Sequence, residues 1–398
     1  MLNKIKTSSQ WFGGQALYPL LVFSLALMLM FNWVELYRPL VYLNLFVVAA
    51  LGWRHLLKTR NDAVKTLYLV IAFPLAFTIL HLLATANLDI VKDVRQLWAA
   101  AFIALGVWFL ARHYLVFMHR YLQPMLVGVL LIYTLLQVFY LLVLSRPYGT
   151  TSNPHYLALY SCIALPLSFF LICRIKGWLR GLLLLTCLAL AYLVLTTSSR
   201  PAWIALIVST CLTVFLLRDR QRVKAMLAIL LIPAMLFLTN LSGFGSRMSD
   251  LIENINHEER VVIWQDSWRM QTEATPVSWL IGHGIGSFRA DFQNYSNYHG
   301  QVEFSSPHNI FLDVLYSSGL IGLVLLIIFC SMLYSGFIRQ FTHHADQRMV
   351  SRLMVFSLTF SFLFISITIS TYSHHNLYVL GFISGTLLYL REVKSTQS

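Results

Sequence analysis

The sequence predicts an all-α protein that crosses a membrane many times, and two observations support this fold class. Of its 398 residues, 58% are hydrophobic and only 11% are charged, with a mean hydropathy of +0.68. A soluble globular domain has roughly 45–50% apolar and about 25% charged residues, so a soluble enzyme is excluded. The apolar residues also occur in runs of about 20, the length that a helix needs to span the hydrocarbon core.

About twelve such apolar segments follow one another, separated by polar or proline-containing breaks. They lie near residues 16–34, 38–57, 65–85, 96–112, 122–144, 155–173, 178–197, 201–217, 224–241, 309–333, 350–371 and 375–391. We therefore expect nine transmembrane helices in residues 1–241 and three more in residues 309–398. Residues 242–308 form a large polar loop between them, in which we expect short amphipathic helices.

The distribution of Lys and Arg predicts the orientation. The chain has 29 Lys and Arg against 16 Asp and Glu, a formal net charge of +13. Most basic residues fall on one side of the membrane, including clusters at 54–65, 174–180 and 218–224. Cytoplasmic loops carry such an excess, so both termini are expected in the cytoplasm and the loop 242–308 outside. This bias accounts for the positive charge and leaves no case for nucleic-acid binding.

The first candidate site is residues 196–203, at the outer junction of two apolar segments. Pro201 suits the first turn of a helix and Ser198 or Ser199 can cap it, so the positive end of a helix dipole faces outward. Free backbone N–H groups and the Arg200 guanidinium together match phosphate oxygens. The alternative is an interfacial anchor, in which Arg200 extends to lipid headgroups.

The second candidate site lies inside the large loop, at residues 257–268. At about 100° per residue, Arg260, Trp264 and Trp268 share one face of an amphipathic helix. Such a helix is expected to lie on the membrane, where Arg260 reaches the headgroup layer. The alternative for Arg260 is a local ion pair with a preceding glutamate.

The third candidate site is residues 305–313, where the last group of apolar segments begins. A serine cap and Pro307 in the first turn place His308 at a helix N-terminus. The positive dipole end keeps its ring neutral near pH 7, able to accept a proton as a general base must. The alternative is a capping histidine without chemistry. Asp313 lies deeper in the apolar helix, where a carboxylate is costly unless it hydrogen-bonds inward.

Two further motifs carry weaker signals. Residues 282–286, Gly-His-Gly-Ile-Gly, look like a phosphate-binding loop, but no strand precedes them and such glycine runs favour a turn. The histidine pairs at 343–344 and 374–375 have no Cys or carboxylate at metal-ligand spacing, so we expect no metal site.

Together these motifs resemble the bacterial O-antigen ligase and polymerase family. The matching residues cover roughly 196–322. They are 198–203, Glu259-Arg260 with Trp264 and Trp268, 282–288, and 307–319. Twelve helices, a periplasmic loop between the ninth and tenth, and a length near 400 make the chain most similar to the ligases of that family.

The resemblance implies a glycosyltransferase of the Gram-negative inner membrane. Such an enzyme moves O-antigen polysaccharide from undecaprenyl pyrophosphate to lipid A-core at the periplasmic face, without a metal or other cofactor. Arg200 and Arg260 would bind the donor pyrophosphate, and His308 would activate the acceptor hydroxyl in an inverting displacement. The remaining residues expected to contact substrate are Ser199, Trp203, Trp264, Asn309 and Asp313.

Two other activities of the same family stay open. An O-antigen polymerase extends one lipid-linked glycan with another, and a protein O-oligosaccharyltransferase uses a Ser or Thr hydroxyl; neither needs different donor residues. A polysaccharide transporter or flippase is less favoured. It would carry ionisable residues at mid-membrane in paired halves, and only Asp313 approaches that pattern.

Overall fold

The computed structural model describes most of the chain from residue 62 onward. The described residues are 62–86, 92–146, 149–151, 153–172, 175–197, 199–216, 249, 259–295, 304–340, 345–368, 372 and 374–397. The segments predicted at 16–34, 38–57 and 224–241 lie outside these residues, as does part of the large loop. The number of membrane crossings and the side on which each terminus lies stay predictions.

Every regular element in the described residues is a helix, and they contain no strand. The helices are α1 (Asp62–Thr85), α2 (Lys92–Leu142), α3 (Pro154–Ile172), α4 (Trp178–Thr196), α5 (Arg200–Leu216), α6 (Glu259–Thr272), α7 (Pro276–Ile281), α8 (Phe288–Tyr295), α9 (Ile310–Gln340), α10 (Ala345–Thr368) and α11 (His374–Gln397). The predicted all-α fold class is confirmed for this part of the chain.

Four helical stretches among the described residues are long and apolar enough to cross a membrane. They are Tyr68–Thr85, Pro124–Leu142, Trp178–Thr196 and Ile310–Ile338, and shorter apolar stretches lie in α5, α10 and α11. Large apolar side chains also point outward from them: Leu185 and Leu188 of α4 are 63% and 69% exposed. Apolar residues on both the inside and the outside of a helix bundle are typical of a membrane protein.

The break predicted between residues 112 and 122 is wrong, because both apolar segments lie in the single helix α2. Residues 113–121 contain no Gly, Pro or Asn that would end a helix. Pro124 lies inside α2, as transmembrane helices tolerate. The two halves of α2 pack on different partners, Trp108 contributing to a core with α1 and α11 and Tyr133 to one with α3 and α4.

Helix α9 is broken at Gly319, whose backbone is not helical (φ 65°, ψ −168°). The loop between α7 and α8 fills the break. The His283 N–H donates to the Tyr316 carbonyl (2.8 Å), and the Gly284 N–H donates to the Ser317 carbonyl (3.0 Å). Because unpaired backbone groups are costly inside a membrane, these bonds stabilise the break.

The large loop is seated on the first part of α9 through a small core of its own. This core consists of Ile263, Met270, Phe288, Phe292, Phe304 and Tyr316. The described residues of the loop contain three short helices, α6 to α8, as expected. Ile263 and Met270 of α6 turn into this core, whereas Trp268, on the face predicted to lie on the membrane, is 49% exposed. Contact of that face with a membrane stays a prediction.

Candidate functional site

The N-terminus of α3 carries a histidine that the sequence analysis did not single out. Asn153 precedes the helix, and its Oδ1 accepts the His155 N–H (2.8 Å), while Pro154 is the first helical residue. Asn at the cap and Pro at the first position are the preferred start of a helix. The preceding turn is tied to α2, where the Gln137 side chain bonds both the backbone N–H and the hydroxyl of Thr150.

The His155 ring connects α3 to the start of α5. Its Nδ1 lies 3.0 Å from the Ser199 hydroxyl. Ser199 is only 2% exposed and directly precedes α5, and its carbonyl accepts the N–H groups of Ala202 (3.0 Å) and Trp203 (3.3 Å). Ser199 therefore occupies the cap position, one of the two predicted alternatives. The other, Ser198, lies outside the described residues.

This geometry reduces the number of backbone N–H groups that the start of α5 can offer to an anion, while the anion site itself stays a prediction. Arg200 is the first residue of the helix and Pro201 the second, and proline has no N–H. The Ala202 and Trp203 N–H groups already donate to Ser199. The positive end of the helix dipole is present, but few free N–H groups accompany it. The side chain of Arg200 lies outside the described part of the structure.

Helix α6 is fastened to the segment that carries His308. The Trp264 indole N–H donates to the Pro307 carbonyl (3.0 Å), across 43 residues of sequence. Arg260 lies one turn earlier on the same helix and is partly buried. The predicted helix with Arg260 and Trp264 on one face is confirmed. On the opposite face, Arg269 is 67% exposed and lies 3.9 Å from Asp266, as expected for a solvated ion pair.

His308 lies just before α9, in a left-handed backbone conformation (φ 51°). The predicted serine cap is wrong, because Asn309 is the cap, whereas the helix begins within one residue of the predicted segment at 309. The Asn309 Oδ1 accepts the N–H groups of Phe311 (3.0 Å) and Leu312 (3.3 Å). A serine cap is not used here, and Pro307 precedes the helix. His308 still adjoins the N-terminal end, and its ring packs edge-on against Phe304.

The three candidate segments converge through His155. This ring interacts electrostatically with both Arg260 and His308, in addition to its bond with Ser199. The starts of α3 and α5, helix α6 and the residues before α9 therefore form one site. The sequence analysis missed His155 because a helix start with Asn-Pro is common. A histidine at such a start was the one feature of the sequence that could have indicated a site residue.

Two of the predicted residues lie in the protein interior. Asp313 is 4% exposed in the first turn of α9 and interacts electrostatically with Tyr372, so its predicted burial is confirmed. Trp203 is also 4% exposed, and its indole N–H donates to the Val194 carbonyl of α4 (3.3 Å). The Trp203 bond joins α5 to α4, and the Asp313 interaction joins α9 to the turn before α11. Whether either side chain also contacts a substrate stays a prediction.

The loop 282–286 is a turn, as its glycines favoured. Positive φ angles occur at all three glycines, 83°, 96° and 90°. The N–H groups of His283, Gly284 and Ile285 all donate within the protein, the last to the His81 ring (3.1 Å), so they are not available to a phosphate. The His283 ring stacks on Tyr316 at 4.4 Å, and burial lowers its pKa, with Asp291 opposing.

The site is therefore cationic and contains imidazoles. Arg260 can neutralise an anion, and a neutral histidine ring can accept a proton. Among the described residues, no three His, Cys, Asp or Glu side chains group together as metal ligands.

Fold and site together define a helical membrane protein in which an arginine and two histidines lie between helix starts and a helical loop. Residues 185–327 match the family model of O-antigen ligase, which supports the chain as an O-antigen ligase family member. The predicted resemblance is thus confirmed for these residues. Ser199, Arg260 and His308 lie within the matched range, whereas His155 precedes it. A comparison with curated proteins finds no match.

Proposed function

We propose that this protein is an O-antigen ligase. It transfers O-antigen polysaccharide from undecaprenyl pyrophosphate to lipid A-core at the periplasmic face of the inner membrane. The observation that carries the proposal is the convergence of Arg260, His308 and the start of α5 around His155. An anion site beside a proton acceptor is what the displacement of a pyrophosphate by a hydroxyl requires.

The donor pyrophosphate binds between Arg200 and Arg260. A guanidinium offers a planar pair of N–H donors that match two phosphate oxygens. The dipole of α5 adds positive potential at its first residue. Arg260 is held in place because Trp264 fastens its helix to the residues before α9. Two positive groups can thereby perform the charge neutralisation for which other transferases use a divalent metal.

His308 activates the acceptor. Its imidazole takes the proton of a lipid A-core hydroxyl while that oxygen forms a bond to the anomeric carbon of the donor sugar. The bond between this carbon and the phosphate oxygen breaks, and undecaprenyl pyrophosphate leaves with the electron pair. The attack comes from the face opposite the leaving group, so the configuration inverts. The arginines stabilise the charge that grows on the leaving pyrophosphate.

Ser199, Trp264 and Asn309 shape this site, on the contacts described above. Asp313 and Trp203 are assigned to its inner wall, where both are buried and Trp203 joins the start of α5 to the end of α4. The site faces the periplasm and both termini lie in the cytoplasm, in line with the Lys and Arg distribution.

Deletion of the gene, followed by electrophoresis of surface lipopolysaccharide, tests the activity. A ligase predicts loss of the whole ladder with accumulation of lipid-linked polymer. Capping of the core by a single repeat would instead identify a polymerase, and glycans missing only from proteins would identify an oligosaccharyltransferase.

Purified protein should transfer polymer to lipid A-core in the presence of EDTA. Loss of transfer with rescue by magnesium would contradict the metal-independent mechanism.

A further inference from the structure

We propose that His155 is a positioning residue of this site. Through its hydrogen bond to Ser199, it fixes the first turn of α5, and with it Arg200, relative to Arg260 and His308. The inference rests on the proposed function, because polysaccharide transfer is its readout. His155 lies 44 residues before its hydroxyl partner in the sequence and on a different helix.

The His155 ring is itself held rigidly. The Asn153 cap fixes its backbone (2.8 Å), and the Thr151 hydroxyl donates to the Asn153 carbonyl (2.9 Å). On the other side, the ring meets Phe364 of α10 edge-on, with centroids 6.4 Å apart. A side chain that is held in place by its own backbone and by a neighbouring helix can in turn fix the position of the group it bonds.

The Ser199 hydroxyl is used in an unusual way. A serine at a helix cap ordinarily accepts an N–H from the second or third residue of the helix. In α5 the second residue is Pro201, which has no N–H, and the Ser199 hydroxyl bonds the imidazole. The hydroxyl of the residue at the cap position of α5 thus ties the start of this helix to α3. A buried bond of this kind sets the position of the backbone at Arg200, the first residue of α5.

The same ring is adjacent to the two other functional groups. Arg260 and His308 both act on His155 electrostatically. Moving the start of α5 away from His155 would therefore shift the backbone of Arg200 relative to Arg260. Donor affinity, rather than the proton-transfer step, is the property that should depend on His155.

Substitutions that place a polar atom near one ring nitrogen of His155 or near the other test this role. Asn places a polar atom near the Nδ1 position, whereas Gln places one near Nε2. The proposal predicts that His155→Ala and Ser199→Ala each raise the donor KM about 5- to 30-fold, the effect of losing one buried hydrogen bond. The kcat at saturating donor should change less than about 3-fold. His155→Asn should restore the KM, and His155→Gln should not.

The double variant His155→Ala/Ser199→Ala should be no worse than either single variant, because both remove the same bond. Additive losses would overturn the route through Ser199. Rescue by Gln but not Asn, or a fall in kcat with unchanged KM, would show that the ring contacts the reacting groups instead. If the Ala variant does not fold, the Asn and Gln pair decides. Wild-type protein that fails to transfer polymer would contradict the proposed function, whereas normal transfer by every variant would contradict this inference alone.

Discussion

His308 combines an unfavourable backbone conformation with a functional side chain. A non-glycine residue in the left-handed region costs roughly 1–2 kcal/mol, and such strain persists where the surrounding structure enforces it. At the residue scale, variants of His308 can therefore affect activity through the lost side chain and stability through the backbone strain, and the two effects can be measured separately. His308 keeps this strained backbone conformation (φ 51°). Its ring packs against Phe304 and interacts electrostatically with His155.

We expect His308→Ala to lower turnover by roughly 10²–10⁴-fold, the usual contribution of a positioned general base. His308→Gln should not rescue activity, since an amide cannot take the acceptor proton. His308→Gly should be equally inactive, yet unfold at a higher temperature than the Ala variant, because glycine adopts a positive φ without strain. Single-turnover transfer and thermal unfolding in detergent measure the two properties. A Gln variant with the wild-type rate would leave His308 as a structural residue.

Arg260→Lys should lose most activity although the charge is kept. An ammonium group cannot make the paired contact that a pyrophosphate offers to a guanidinium. Arg269→Lys is the matched control on the same helix, because that side chain is exposed and pairs only loosely with Asp266. Transfer by the two purified variants is compared at equal donor concentration. Near-normal transfer by Arg260→Lys would mean that placement of charge alone suffices.

Sequence reasoning identified Ser199, Arg260 and His308 because each belongs to a compact motif with its own local signal. His155 has none, since its partners lie on other helices and only the fold brings them together. The Asn309 cap was missed for a different reason. Two serines before Pro307 are equally good capping residues, so the pattern alone did not distinguish among three possible helix starts.

At the scale of elements, the break in α9 depends on two glycines, one in the helix and one in the loop after α7, where the two backbones lie very close together. A Cβ on Gly319 would overlap the Leu280 carbonyl group and come within 2.6 Å of the Gly282 nitrogen. A Cβ on Gly282 would overlap the backbone between Ser317 and Ser318. Both glycines also have positive φ. Only residues without a side chain let the loop reach the carbonyls inside α9.

Gly282→Ala and Gly319→Ala should therefore each destabilise the protein by about 2–5 kcal/mol, the sum of backbone strain and overpacking. Gly286→Ala is the control, because its φ is also positive (90°) but nothing lies within 4 Å of the added Cβ. It should cost only the strain, about 1–2 kcal/mol. Thermal unfolding of the three variants in detergent distinguishes them. Equal losses at all three positions would show that close approach contributes nothing.

The elements themselves followed the apolar pattern closely. The predicted segments at 65–85, 155–173, 178–197 and 201–217 correspond to α1, α3, α4 and α5. The pattern did not show that α2 is continuous, because a few polar residues were taken as a break where none ends a helix. Nor did it show the break at Gly319, since a single glycine in an apolar run is usually tolerated.

At the scale of the whole molecule, the proposed mechanism requires that α6 to α8 and the start of α9 meet the substrates at the periplasmic face of the inner membrane. The turn before α4 should lie on the opposite side, where Lys176 and Arg180 agree with a cytoplasmic position. Val277 on α7 is 63% exposed and Lys176 is exposed as well, so both positions can be probed directly.

A cysteine at each position, in a background without the five native cysteines, tests this arrangement. In cells with a permeabilised outer membrane, a membrane-impermeant maleimide should label Val277→Cys at once. Lys176→Cys should react only after lysis. The reverse order would invert the orientation and place the candidate site in the cytoplasm, away from any periplasmic acceptor.

The bonds from His283 and Gly284 into α9 also give the loop between α7 and α8 the stability of a membrane helix. Their amides should exchange with deuterium as slowly as those of buried helical residues, because opening the loop requires α9 to lose two partners at its break. For the same reason, the loop is not a separable module. A chimera that exchanges residues 276–295 between two relatives should assemble only when the receiving half of α9 is exchanged with it.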